Sequence, residues 1–484
     1  MTAMQWNRLL TRSRLGAKER PIDPAKRERP DFRRDADKIV FSAAWRRLNG
    51  KTQVHLQGGD VARNRLTHSH EVSRVGHSIG TIVGHALAER GLLPDVLADG
   101  DRGFMPHEIG DVVEAASLAH DIGTVPFGHG GESTIQDWFR TSPIGRELIE
   151  PLNENQRADF LRFEGNAVGF RLLTRGDDGS VEGGLHLTKT AIAAVVKYPG
   201  PSALSSGSGA ANAGARKYNW FDADRASWSD IAAKLGIIER GDGTWVRHPL
   251  VFLTEAADDI CYQIVDLEDA HRVGHLDHET VISLYLKVLE SAASIRPSQI
   301  AEATRRSGDS QLEREEVIAK LRAICISELI EQAAARFMDN HDAILDGTYD
   351  HELPDDLPAT PAIDAIRAVS RERIYDHPER MRHLVRGHDA LVCVLNSIGH
   401  AVAEIGRTGG MKGLTTRSRY VIKAFPGIVR PEDDAYARIL RMTDAVAAMT
   451  DDQALHAANV FGGSPLTMPP LDAATRPWNE DYHV

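Results

Sequence analysis

Residues 248–270, HPLVFLTEAADDICYQIVDLEDA, constrain the fold most. Apolar residues recur through this run at helical spacing, yet acids interrupt it. A helix of this composition buries most of its surface, and a buried carboxylate must be paired or must bind a metal. Asp258, Tyr262 and Asp266 stand at i, i+4 and i+8 and share one helical face. Asp259 points about 100° away. Two readings of Asp258 follow, a metal ligand or a member of a solvent-facing acidic stripe. Leu253, Ile260 and Ile264 leave little room for the stripe.

The same spacing recurs at 72–91 (VSRVGHSIGTIVGHALAERG), 110–121 (GDVVEAASLAHD) and 313–340 (EREEVIAKLRAICISELIEQAAARFMDN). Strand-like alternation is rare, and aromatic residues make up 6% of the chain. The expected fold is mainly α, with at most a short β-hairpin at 171–188 turning near Gly176–Gly179. Residues 199–218 are built from small residues and read as a mobile loop or an inert insertion. An acidic, Pro-rich connection spans 346–364. The organisation expected is a basic N-terminal extension (1–32), a core (33–300) with its insertion at about 200–216, a C-terminal helical region (301–470) and a tail (471–484).

The 484 residues carry a net charge of -12, which argues against nucleic-acid coating by the whole chain. The stretch from Arg8 to Arg65 is locally basic and suits a small polyanion, although solvated helix faces are the plainer reading. Cys261, Cys325 and Cys393 are far apart and lie in apolar patterns, as buried free thiols of a reducing compartment do. The N-terminal sequence has no long apolar run, and no stretch approaches the roughly 20 apolar residues of a membrane span. A cytoplasmic protein with no membrane partner is expected.

His120-Asp121 lies in SLAHDIGTVPFGHGGE, with His129 and Glu132 following; His68 and His70 lie in RLTHSHEV. His68, His120, Asp121 and Asp258 supply two imidazoles and two carboxylates from three helices. That is a donor set for one divalent ion at a hydrolytic site. Mg²⁺ or Mn²⁺ leads, with Fe, Ni, Co or Zn as alternatives. Spacing alone also allows His68 to be a surface residue at a helix start, and His70 points to another side of that helix. His129 and Glu132, at i and i+3, form an imidazole–carboxylate pair suited to proton transfer. A lone His after Gly128 is the incidental alternative.

Taken together, these residues resemble an HD-domain phosphohydrolase, and more closely the deoxyguanosine triphosphate triphosphohydrolase family. The resemblance is carried in order by FSAAWRRLNGKTQV (41–54), NRLTHSHEV (64–72), HDIGTVPFGHGGE (120–132), FEGNAVGFRLL (163–173), LHLTKTAIAAVVKYP (185–199), KYNWF (217–221) and EAADDICYQIVDLEDA (255–270). MTDAVAAMTDDQAL (442–455) resembles a weaker motif. Thr124-Val125, Val168 and the insertion at 201–215 depart from the family pattern.

The resemblance implies an HD helical core with additional C-terminal helices. It implies metal ligation by His68, His120, Asp121 and Asp258, and catalysis by His129 with Glu132. Gln53, Arg65, Asn166, Lys189, Lys217, Tyr218, Tyr262 and Asp266 match positions that contact the nucleotide. The implied reaction is metal-dependent hydrolysis of dGTP, or of dNTPs more broadly, to deoxynucleoside and inorganic triphosphate. It also implies a homo-oligomer (hexamer or tetramer); a dNTP activator stays open, and the locally basic N-terminal third suits single-stranded nucleic acid as a second partner. Another HD-type nucleotidase or phosphodiesterase, or a nucleotide-binding regulator, is the alternative.

Overall fold

A computed structural model describes residues 3–16, 30–54, 62–176, 181–205, 213–292, 297–304, 310–430 and 432–462. Among these residues the fold is helical, and β structure is limited to isolated bridges such as Thr52 with Asn64. The helices that position the site are α1 (Asp31–Phe41), α2 (Arg65–Glu89), α3 (Pro106–Ala119), α4 (His129–Thr141), α5 (Gly165–Arg175), α6 (Pro249–Arg272), α7 (Gln311–Asp339), α8 (Thr360–Ser370), α9 (Pro378–Thr408), α10 (Ala435–Ala447) and α11 (Asp451–Gly462).

Helix α2 starts where Asn64 accepts a hydrogen bond from Thr67 N and Thr67 Oγ1 reciprocates to the Asn64 backbone. This capping box sets the start at Arg65, and α2 runs to Glu89. Gly76, Gly80 and Gly84 form a ridge on α2 that meets α3. A Cβ on Gly80 would lie 2.9 Å from Gly110 Cα, and one on Gly84 would lie 2.0 Å from Pro106 O. Gly76 meets Ser117 near the other end of α3, so the two helices run antiparallel in close contact. The start of α2 is thereby placed beside the end of α3.

Two hydrophobic cores organise the chain. The first gathers side chains of α1, α2, α3, α6 and α7, together with Trp6, Leu9 and Leu10 from the N-terminal segment. The second gathers α4, α9, α10 and α11, with Val125 and Phe127 from the loop after α3. The cores do not divide the chain into consecutive pieces, because α4 lies in the second and the later α7 in the first. Helix α9 contains a window of mean hydropathy 1.2, of which 61% is buried inside the protein. Leu391, Val394, Leu395 and Ile398 bring that window into the second core.

The short hairpin allowed at 171–188 has no strands among the described residues. Residues 171–175 complete α5, which Gly176 ends at φ 74°, and 181–188 carry turns. Helical spacing continues through Phe170, Leu173 and Thr174, all buried, and it outweighs the weak alternation. Residues 177–180, 206–212 within the small-residue loop, and the tail lie outside the described residues. The acidic connection ends in a short turn of 3-10 helix at Leu353–Asp356 before α8. The local basic stretch is extensively ion-paired: Arg12 meets Asp101 and Glu108, Arg14 meets Asp31 and Asp35, and Arg63 meets Glu71, Glu268 and Asp269.

Candidate active site

Helices α2, α3 and α6 bring three of the four expected ligands together. Ligand atoms of His68, His120 and Asp258 lie within 4.8 Å of one another. His68 Nε2 is 3.0 Å and His120 Nε2 3.4 Å from Asp258 Oδ1. Helix α3 ends at Ala119, so His120 caps it and Asp121 sits in the turn beyond. His120 Nδ1 donates to Ser117 O at 2.7 Å, which places the ring proton on Nδ1. His120 Nε2 is buried without a hydrogen-bond partner. An orphaned imidazole lone pair facing a carboxylate and a second imidazole, with its other nitrogen tied to the backbone, fits a divalent metal. His70 is exposed on another side of α2, as its spacing suggested.

Asp121 lies beside this trio, with Oδ2 3.7 Å from His120 Nε2. Arg65 Nη1 donates to its Oδ2 at 2.7 Å and Thr124 Oγ1 to its Oδ1 at 3.0 Å. Burial works against ionisation of Asp121, but Arg65, His120 and His68 outweigh it and hold the carboxyl well below its ordinary range. Asp258 follows the same rule: burial raises it, and His120 and Lys197 carry it far down. Both carboxylates are therefore anionic at neutral pH.

His129 opens α4, and its Nδ1 lies 2.7 Å from Glu132 Oε2. The His129 side chain is 77% exposed and that of Glu132 10%. The buried carboxylate thus orients an imidazole whose Nε2 is left to the cleft. Glu132 Oε1 accepts from Gly165 N at 2.9 Å, and Lys217 Nζ stands 3.9 Å from Oε2. Burial opposes these contacts, yet the hydrogen bond and charge of His129, with Lys217, lower Glu132 to about 2. Gly165 leaves room for this contact, since a Cβ there would fall 2.6 Å from Glu132 Oε1.

A cleft of about 510 Å³ is lined by Gln53, Arg65, His68, Asp121, His129, Asp258 and Tyr262 from the expected set. A smaller adjoining cavity adds His120, Glu132 and Asn166. Asn166 Nδ2 and Lys217 Nζ donate to Glu164 Oε1 at 2.8 and 2.9 Å, so Lys217 joins the site through Glu164 and Glu132. Asp266 stands behind the cleft wall and accepts from Tyr375 Oη at 2.8 Å. Burial raises its carboxyl to about 8 against that hydrogen bond. Two expected nucleotide contacts are not brought to the cleft. Lys189 pairs with Asp230 at 2.9 Å, and Tyr218 is buried with its hydroxyl on Asp159 O at 2.8 Å.

Sequence reasoning missed several residues in or beside the cleft. Lys197 Nζ lies 3.3 Å from Asp258 Oδ2; its place in the KYP motif was the available signal. Tyr375 stacks on Tyr262, with ring centroids 5.3 Å apart and planes 6° from parallel. Arg371, Arg380 and His383 complete that wall. Arg371 and Tyr375 lie on a π-helical turn after α8, where no residue spacing marks a site.

No protein-family model matches the chain. Among curated proteins, it is 36% identical to a deoxyguanosinetriphosphate triphosphohydrolase-like protein of Synechocystis over 93% of this chain and 97% of that one. A protein of the same description from Pseudomonas aeruginosa is 34% identical over 95% and 99%. The deoxyguanosinetriphosphate triphosphohydrolase of Klebsiella pneumoniae is 31% identical over 75% and 76%. With identity sustained along nearly the whole of both chains, this protein belongs to the deoxyguanosinetriphosphate triphosphohydrolase family.

Proposed function

We propose that the chain hydrolyses deoxynucleoside triphosphates, dGTP or a broader set, to deoxynucleoside and inorganic triphosphate. The observation that carries this is one cleft with two chemistries on its walls. The orphaned His120 Nε2 faces His68 and Asp258, and the His129–Glu132 pair stands across from them. The names of the relatives supply the substrate class.

A divalent ion held by His68, His120, Asp121 and Asp258 would supply Lewis-acid polarisation of a phosphoryl oxygen and acidification of water. The remaining work falls to side chains. Arg65, Arg371 and Arg380 line the cleft and give cationic donors for a polyphosphate. The Tyr262–Tyr375 stack offers a flat wall for the sugar, and contact there would disfavour a 2′-hydroxyl. Water adds to the α-phosphorus and the bond to the 5′-oxygen breaks. His129, kept in place by anionic Glu132, donates the proton that this oxygen needs to leave as a hydroxyl. The proton shed by the water returns through solvent and recharges His129.

The test is incubation of purified protein with each dNTP, singly and mixed, in Mg²⁺ or Mn²⁺, with products separated by chromatography. Deoxynucleoside and intact triphosphate in equal amounts are expected. Stepwise orthophosphate release would sink the reading. His129→Ala should lose about 10²–10⁴-fold in turnover while binding metal as the wild type does.

A further inference from the structure

Phe127 is held at φ 63°, in the left-handed region that an L side chain rarely adopts. It is followed by Gly128 at φ 59° and then by His129, the first residue of α4. The direction in which His129 enters the cleft is therefore set by a turn that Phe127 does not favour on its own. Something distant must hold it there.

The C-terminal helices do so. Phe127 N donates to Asp451 Oδ1 at 2.9 Å, and Thr52 N, next to the cleft residue Gln53, donates to Asp451 Oδ2 at 3.0 Å. Asp451 is the first residue of α11 and is 5% exposed. His383 Nε2 stands 3.8 Å from Asp451 Oδ2, and the His383 ring meets the Phe127 ring edge-on at 5.1 Å. Gly387 of α9 leaves space for that ring, since a Cβ there would come within 2.5 Å of it. At the other end of the turn, buried Lys51 Nζ donates to Thr124 O and, at 2.8 Å, to Ala447 O at the end of α10. The segment 124–127 is thus anchored at both ends to the α10–α11 pair.

We propose that Asp451 is a positioning residue for His129, locking Phe127 in its strained turn so that the imidazole faces the leaving oxygen. The inference rests on the reading of His129 as the proton donor given above. Asp451 touches no reacting atom. It acts by fixing the backbone from which α4 springs, and it ties that backbone to the strand of chain carrying Gln53.

The experiment compares two leaving groups. A dNTP releases an alkoxide oxygen that needs a proton, whereas bis(p-nitrophenyl) phosphate releases p-nitrophenolate, which does not. Asp451→Ala should lower kcat on the dNTP about 10²-fold, and on the p-nitrophenyl ester by less than about 3-fold, the same split as His129→Ala. Asp451→Asn keeps the side-chain volume and one acceptor oxygen for Phe127 N, and should recover about tenfold of the loss. Hydrogen exchange should quicken at amides 125–131 in Asp451→Ala while α2 and α6 keep wild-type rates. A merely destabilised protein loses both activities in equal proportion, and that result, or unchanged exchange at 125–131, would overturn the proposal. An absent split in His129→Ala itself would overturn the assignment of His129 and, with it, the role given to Asp451.

Discussion

His129 stands nine positions after His120, yet the two imidazoles answer to different parts of the molecule. His120 closes α3, draws its Nδ1 contact from Ser117 three residues earlier, and stands on the first core. His129 opens α4 on the second core, behind a strained Phe127 whose amide is held by Asp451, 324 residues away. The side proposed to hold the metal is therefore a product of helix packing, set by the glycine ridge between α2 and α3 and closed by Asp258 from α6. The side proposed to move the proton is a product of tethering to the C-terminal helices. Close helix packing places the first half, whereas tethering makes the second half sensitive to changes far from the cleft.

The sharpest way to break this comparison is to remove one member of each half. Asp258→Ala should lose both the bound metal and all measurable turnover, since it removes the carboxylate that both imidazoles face. His129→Ala should lose turnover alone. Metal content by elemental analysis, beside triphosphate release, separates the two. Loss of metal in both variants would mean the halves are not independent. Gly165→Ala comes next in size. Its Cβ would fall 2.6 Å from Glu132 Oε1 and push the carboxylate that orients His129. A fall of about 10- to 100-fold in kcat is expected, with metal content unchanged. Wild-type kcat would show that the Glu132 carboxylate tolerates the added methyl without losing its hold on His129.

The two halves also differed in how far the sequence revealed them. The cluster of His68, His120 and Asp258 could be proposed from sequence, because His68 and Asp258 lie on periodic helices and His120 directly follows one, although spacing alone left His68 and Asp258 with surface alternatives. The relation of Gly76, Gly80 and Gly84 to the α2–α3 contact was equally present as a four-residue spacing, although no role was read from it. His129 and Glu132 could be read as a local pair. What holds them could not, because Asp451 reaches the loop across 324 residues and Lys51 across 73, and no local pattern encodes such a contact. Tyr375 escaped for a related reason: its stack on Tyr262 comes from a π-helical turn that residue spacing does not announce. Tyr218 and Lys189, placed at the nucleotide by resemblance alone, are instead committed to Asp159 and Asp230.

Smaller effects test the cores themselves through pH. Burial raises Asp266, beside the first core, to about 8, and Asp159, beside the second, to about 7. A carboxyl with a raised folded pKa binds its proton more tightly in the native state, so its contribution is full below the unfolded value and is lost as pH rises through the folded one. Stability should therefore decline from about pH 4 upward, through about 7 for Asp159 and about 8 for Asp266. Asp266→Asn should flatten the decline from about pH 4 through to 8, including the part between 7 and 8, and Asp159→Asn only the part below 7. Thermal midpoints across pH 5 to 9 give the measurement. Identical profiles for the two variants would show that the cores do not titrate separately.

The smallest effect expected lies outside both halves. Lys189 caps no cleft wall; its ammonium sits 2.9 Å from Asp230, whose side chain is 56% exposed. A pair open to water on one side contributes about 1 kcal/mol or less. Lys189→Met keeps the aliphatic stem, removes the charge, and should leave KM and kcat for a dNTP within about twofold. Lys197→Met is the informative partner, because that ammonium lies 3.3 Å from the ligand carboxylate of Asp258 and helps keep it ionised. It should weaken metal binding by about 10-fold or more, read by titrating Mn²⁺ into the metal-free protein. If Lys189→Met raised KM as strongly as Lys197→Met weakened the metal, the nucleotide would have to reach beyond the cleft wall to Lys189, and the ion pair with Asp230 would have to open when substrate binds.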